Sequence, residues 1–296
     1  MDWLQRMNGA IDYIESNLTS DIDWKEVSKV ACCSAYNYSR FFTYLSGIGP
    51  GEYVRRRRLT LAAFELQNSD MRVIDVAVKY GYDSPISFAR AFQAMHGVTP
   101  TSARKMGVTL RAYPRISFHI SIRGDVIMEY RIERKGPLRV FGIEKLIPLD
   151  EPRACHMFWQ ESHQSGAYER LFDDAGAKGR DIPLKDRRGM CPIFAVMNYR
   201  KTEGDTYPYM IGAFADDQSM TNGYMLAEIP AMTWAIFRAD VGDRIGSMIP
   251  ELFRRAYSEW LPIADYEKAD APEFEVYGHT ETGDFYDEIW MPVLPK

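Results

Sequence analysis

Two arginines occupy matching points of two similar stretches. Arg40 precedes Phe41 and Phe42 in AYNYSRFFTYLSG; Arg90 precedes Ala91 and Phe92 in PISFARAFQAMHG. At helical spacing, Phe41, Phe42 and Leu45 form one apolar face and Phe88, Ala91 and Phe92 another, so each arginine points outward. A guanidinium can grip O6 and N7 of a guanine, worth about 1–3 kcal/mol against a wrong base. Other chemistries lack their groups. Cys32 and Cys33 are adjacent and diverge, Cys155 and Cys191 are isolated, and none has zinc or redox-pair spacing. The five histidines form no HxxxH pair. No catalytic residue, cofactor or metal site is expected.

The elements that present these arginines follow from local signals. Asp75–Pro100 reads as helix, tight turn, helix. Val76, Ala77 and Tyr80 share a face, Gly81 ends the first helix, Ser84 caps the second and Pro85 fits its first turn. Trp24–Gly47 repeats the layout, with GIGP at 47–50 matching GVTP at 97–100. An amphipathic helix precedes both copies, and a long helix carrying Arg55–Arg58 joins them. Net charge is −5 but uneven: the first 112 residues hold 14 of 36 basic and 11 of 41 acidic residues, a net +3, leaving −8 for the rest. A basic half and an acidic half divide the labour, with DNA on the N-terminal side. No stretch approaches the ~18 apolar residues of a membrane span, and the N-terminus carries acids unlike a signal peptide, so a cytoplasmic protein is expected.

The blocks VSKVACCSAYNYSRFFTYLSGIGPGEYVRRRRLTLA and DVAVKYGYDSPISFARAFQAMHGVTPTSAR, in this order and separation, resemble the tandem helix-turn-helix domain of AraC/XylS-family transcription regulators. The resemblance implies an all-α domain placing two recognition helices in successive major grooves of promoter DNA. Position by position, it assigns base-reading roles to Tyr36, Ser39 and Arg40 in the first helix and to Ile86, Ser87 and Arg90 in the second, with Arg55 and Arg57 toward phosphate. Pro85 and Ile86 stand where members of the family carry polar residues, so the first helix is expected to carry more of the base readout.

After Met106 the pattern changes. Ile116, Phe118, Ile120 and Ile122, then Ile127, Met128, Tyr130 and Ile132, alternate around an Arg-Gly-Asp turn, a β-hairpin signal. The domains are therefore 1–110 and 111–296. The second reads as strand 138–147, helix 152–177, strands 192–199 and 209–216, then strand 224–239, helix 242–261, strands 274–277 and 288–294. This duplicated β-α-β-β unit gives an α+β domain: an antiparallel sheet with two helices and a groove between the halves.

GPLRVFGIEK, AEIPAMTWAIFRADVGD, FEVYG and EIWMPV resemble the GyrI-like effector-binding domain of Rob-type regulators. That resemblance implies a glutamate, Glu275, at the base of an aromatic pocket, with Trp290 beside it and Trp159, Tyr209 and Tyr168 as further walls. A carboxylate partly removed from water needs a counter-charge or a proton, and aromatic faces attract organic cations. Glu288 is the rival carboxylate. It shares a face with Trp290, and the spacing leaves open which face is inward. The expected protein is a regulator that binds double-stranded DNA and a small, lipophilic or cationic effector, with RNA polymerase as a further partner and no membrane. The alternative is a hydrolase of reactive small molecules with Glu275 as general base.

Overall fold

The computed structural model describes residues 3–119, 128–151, 153–175, 191–202, 204–216, 219–280 and 283–296. The chain divides into two compact units, 1–119 and 120–296.

In the first unit the described elements are helices: α1 (Trp3–Ser16), α2 (Trp24–Ala31), α3 (Ala35–Ser46), α4 (Pro50–Asn68), α5 (Val73–Lys79), α6 (Pro85–His96) and α7 (Pro100–Ala103). Local chemistry sets the ends. The Asp23 carboxylate accepts from Lys25 N, Ser34 from Asn37 N, and Ser84 from Ser87 N. Gly81, just past α5, has φ +79°, and a side chain there would run into the Arg58 guanidinium. The long helix α4 is the spine. Leu59, Ala62, Ala63 and Leu66 meet Val76 and Ala77 of α5, Tyr80 just past its end, and Phe88, Phe92 and Met95 of α6 in one buried cluster.

Of the hairpin expected across 116–132, the second arm is a strand from Glu129 onward, but the described part of the first arm, 116–119, is not. Residues 110–119 carry no strand. They lie along the helical unit, and side chains distant in sequence take their backbone groups. Tyr113 N donates to Thr60 Oγ1 (3.1 Å) and Ile116 N to Tyr53 Oη (3.2 Å). Phe118 N donates to Asn8 Oδ1 (2.8 Å), and Asn8 Nδ2 returns a bond to Phe118 O (2.9 Å). The buried Phe118 ring meets Phe42 edge-on at 5.8 Å. Nine residues expected in the second unit thus belong to the first. The rest of the expected hairpin, 120–127, lies outside the described residues.

The second unit contains β1 (Glu129–Lys135), β2 (Leu138–Pro148), α8 (Ala154–Gln164), α9 (Ala167–Asp174), β3 (Phe194–Met197) and β4 (Thr206–Phe214). Then follow β5 (Met225–Ile229), β6 (Met232–Gly242), α10 (Ile249–Arg255), a π-helical turn (Ala256–Trp260), β7 (Tyr266–Lys268), β8 (Glu273–His279) and β9 (Phe285–Pro295). The expected helix 152–177 is broken at Gly166, whose φ is +70°. The expected strand 224–239 is two strands, because Pro230 between them cannot donate to a ladder. Each copy therefore has a leading strand before the predicted β-α-β-β.

The sheet is antiparallel, in the order β1-β6-β9-β8-β3-β4-β2-β5, with β7 on β9. Exchanging the two copies reverses this order, so a pseudo-twofold axis passes between β8 and β3. The leading strands are exchanged: β1 of the first copy pairs β6 of the second, and β5 of the second pairs β2 of the first. Lys135 and Leu138 are three Cα steps apart, at most about 11 Å. Along the sheet, β1 and β2 are separated by six strand spacings, about 29 Å. The sheet must therefore curl until its ends approach. Its inner face holds an aromatic layer with Phe194, Trp234, Phe274 and Trp290. The outer face carries the helices: α8 and α9 over β2 and β4, α10 over β6 and β9. No helix of the described residues is long and apolar enough to cross a membrane.

Candidate ligand site and nucleic-acid interface

Glu275 lies on the outer, helix-bearing face of β8. The stretches Phe194–Met197 (FAVM) and Phe274–Tyr277 (FEVY) are equivalent under the pseudo-symmetry, so Glu275 corresponds to Ala195. These two residues are also direct cross-strand partners. The axis thus runs through a glutamate facing an alanine, and the small side chain leaves the carboxylate uncrowded from that side.

Glu275 is only 7% exposed. Its Oε2 accepts from Tyr209 Oη at 2.8 Å and from Tyr277 Oη at 3.3 Å. Tyr209 Oη in turn accepts from Trp159 Nε1 at 2.8 Å. Indole, phenol and carboxylate form a relay from α8 through β4 to β8. Burial, and then the Glu275 charge, push both tyrosines well above their ordinary range, which keeps them as donors. Aromatic rings continue outward from the relay. Trp159 meets Tyr277 edge-on at 6.0 Å and Tyr168 at 6.1 Å, and Tyr168 stacks on Phe172 at 6.3 Å. The His163 ring lies 4.2 Å from Tyr168, and its Nδ1 is 3.3 Å from Glu169. Trp159 and Tyr168 are half-buried, so this wall connects the buried carboxyl group to solvent. Such a site favours a cation that water solvates poorly.

Trp159, Tyr168, Tyr209 and Glu275 are thus brought together, but Trp290 is not. Trp290 pairs with Phe274 and points with it into the inner aromatic layer, opposite to Glu275. Its Nε1 donates to Glu288 Oε2 at 3.0 Å. Arg131 grips that carboxylate through two nitrogens, at 2.9 and 3.2 Å, and Lys135 Nζ lies 4.8 Å over the Trp290 ring. Glu288 therefore carries its counter-charge on the inner face, which separates it from Glu275. Tyr277 joins the site instead, and strand period two from Glu275 is the signal for it. His163 and Phe172, one helical turn on from Trp159 and Tyr168, complete the wall.

Two other acids share the outer face near Glu275. Glu273 accepts from Tyr257 Oη (2.5 Å) and lies 3.7 Å from Lys268 Nζ. Asp287 accepts from Gly246 N and Met248 N at 2.7 and 2.9 Å, which anchors the turn leading into α10. Among the described residues, no group of three or more histidines, cysteines or acids could hold a metal ion.

In the helical unit, α6 buries Phe88, Phe92 and Met95 and exposes Ile86, Ser87 and Arg90. The first recognition helix differs. Tyr36, Ser39 and Arg40 are 6, 4 and 7% exposed, and the Arg40 guanidinium lies 4.6 Å over Tyr44 and 5.9 Å from Tyr36. Aromatic residues four positions before and after Arg40 are the sequence signal for this stacking. The Arg55–Arg58 run is mostly an internal brace. Arg57 binds both oxygens of Glu15 (2.8 and 2.9 Å) and Tyr113 O (2.7 Å), with both side chains of the ion pair 12% exposed, so it is not available to phosphate. Arg58 donates to Leu18 O and Ser20 O beyond the end of α1. Arg55 is the more exposed member and forks onto Glu52.

Comparison with known proteins agrees with this division. Residues 27–106 match a helix-turn-helix domain family, and residues 128–294 match the GyrI-like small molecule binding domain. The chain is 39% identical over 92 residues to the HTH-type transcriptional activator AarP of Providencia stuartii, covering 31% of this chain and 68% of that protein. It is 31% identical over 104 residues to the regulatory protein SoxS of Salmonella typhimurium, covering 35% of this chain and 97% of that one. Among solved structures, SAV2435 bound to tetraphenylphosphonium aligns with 56% of this chain and 94% of its own, at 21% identity and a TM-score of 0.41.

Proposed function

The chain belongs to the AraC-type helix-turn-helix transcription regulators and carries a GyrI-like small molecule binding domain, and from that premise we propose which residues perform each task. Glu275, Tyr209, Tyr277, Trp159 and Tyr168 hold a lipophilic cation. Arg90, Ser87 and Ile86 of α6 face the major groove of a promoter. Tyr36, Ser39 and Arg40 of α3 are each less than a tenth exposed, so α6, and not the first helix as expected, carries more of the base readout, while Arg55 reaches phosphate.

The observation that carries the ligand reading is the relay from Trp159 through Tyr209 to the buried Glu275 carboxylate. Hydroxyl donors held at that oxygen keep a charge oriented where water is scarce, and the rings beside it provide faces for an organic cation. Effector binding shifts promoter occupancy only by the difference in its affinity for the two states of the regulator. The DNA-bound regulator then acts in the cytoplasm through contact with RNA polymerase. Glu275 is read as a binding group, not a catalytic base.

Titration calorimetry of the whole chain with tetraphenylphosphonium, and with neutral triphenylphosphine oxide, tests the site. Glu275→Gln should lower affinity for the cation by about tenfold and leave the neutral compound nearly unchanged. Equal losses for both would make Glu275 a structural residue. Turnover of a reactive compound that vanishes in Glu275→Gln would favour the hydrolase instead.

A further inference from the structure

Among the exposed residues of α6, Ile86 is the large hydrophobic one. It is 65% exposed on the first turn of a capped helix. Its neighbours hold it still. Pro85 fixes the backbone at the first helical position, the Ser84 side chain ties down Ser87 N, and a β-branched side chain in a helix has one strongly preferred rotamer. Four residues on, one turn along the same face, stands exposed Arg90. The opposite face, with Phe88 and Phe92, is committed to the core.

We infer that Ile86 is a specificity residue that reads the 5-methyl group of a thymine, at a fixed distance from a guanine read by Arg90. The inference rests on α6 entering the major groove. There, the first turns of a recognition helix approach the base edges. Ile86 can neither donate nor accept a hydrogen bond, and the thymine methyl is the apolar feature of that groove. A cytosine or an adenine at the same point would set a polar edge against the branched side chain and leave it unsatisfied. Four residues of helix advance about 6 Å, close to two base-pair steps at 3.4 Å each along one strand. The preferred element is therefore a thymine and a guanine about two base pairs apart.

The test uses the whole chain and duplexes selected by it from random sequence. Each thymine of the selected site is replaced in turn by uracil, which removes only the methyl group. One thymine, about two base pairs from a guanine, should show a loss of about fourfold in affinity, the worth of one buried methyl group. In Ile86→Ala the same replacement should have no effect, while unmodified selected duplex still binds better than random duplex. The solvent exposure of Ile86 leaves the fold intact in that variant, which circular dichroism would verify. A selected site at which no thymine responds, or one that responds equally in Ile86→Ala, would overturn the inference while leaving sequence-specific binding in place. Failure to select any preferred sequence would overturn the DNA-reading assignment beneath it.

Discussion

Ala195 faces Glu275 directly across the β3–β8 ladder, so the pseudo-twofold axis of the sheet carries one carboxylate and one methyl group. Restoring bulk at Ala195 is the mildest way to test whether a ligand uses that space. Ala195→Leu should cost about 1–3 kcal/mol of stability through overpacking. It should also lower affinity for tetraphenylphosphonium by about tenfold with Glu275 untouched. Calorimetry on protein shown to be folded checks this; unchanged affinity would place the ligand away from the axis.

The two faces of the sheet should respond separately. Trp290→Phe removes an indole from the inner layer and its N–H from Glu288, so it should lower stability by about 1–3 kcal/mol. Cation affinity should stay within about twofold. Trp159→Phe should do the reverse, because it keeps a ring at the outer wall but breaks the donor to Tyr209. Urea unfolding and ligand titration on both variants separate the two effects.

Arg57 predicts a stability effect with a defined pH sign. Burial would raise the Glu15 carboxyl, but hydrogen bonds from Arg57 and Tyr53 outweigh it and hold the group below its usual range. A lowered folded-state value means that the ion pair contributes fully above the unfolded value of about 4.3 and is lost as pH falls through the folded one. Arg57→Ala should cost about 3 kcal/mol at neutral pH, because it strands a mostly buried carboxylate. Glu15→Gln should make unfolding less steep in pH below about 4.3. Denaturant titrations across pH 2–7 read both.

Arg90 and Arg57 should differ on DNA. Arg90→Ala should weaken binding to a selected site by about 1–3 kcal/mol, with little change on random duplex. Arg57→Ala, kept folded at low temperature, should leave the salt dependence of binding unchanged, whereas loss of a phosphate contact would reduce its slope by about one. Fluorescence anisotropy at several salt concentrations distinguishes them.

Much of this molecule could be read from local patterns. Caps and C-terminal glycines marked both helix-turn-helix copies, because their energetics lie within a few residues of chain. The segment 110–119 could not be read that way. Ile116 and Phe118 alternate like a strand, but Asn8, Tyr53, Thr60 and Arg57, more than fifty positions earlier, take the backbone bonds. Glu275, Trp159, Tyr168 and Tyr209, which the sequence offers as candidates, meet in one cluster, whereas Trp290, expected beside them, lies on the opposite face. Alternation pairs Glu288 with Trp290 on one face, but only the register of β9 against β8 shows that this face is the inner one. Arg40 is expected to point outward, but its guanidinium lies against the tyrosines four residues to either side, and the side chain is buried.

The exchange of leading strands bears on ancestry. A single copy of the repeat would leave its own outer strand without a partner, so it could close its sheet only by trading strands with an identical copy. Such a homodimer would have to place the same residue on both sides of its axis: two alanines, with no carboxyl group at all, or two glutamates about 5 Å apart, which would have to share a proton. A single chain is free of that requirement. It sets one carboxyl group beside a methyl group at the centre of an otherwise symmetric sheet, so that group needs no like-charged neighbour to share its proton.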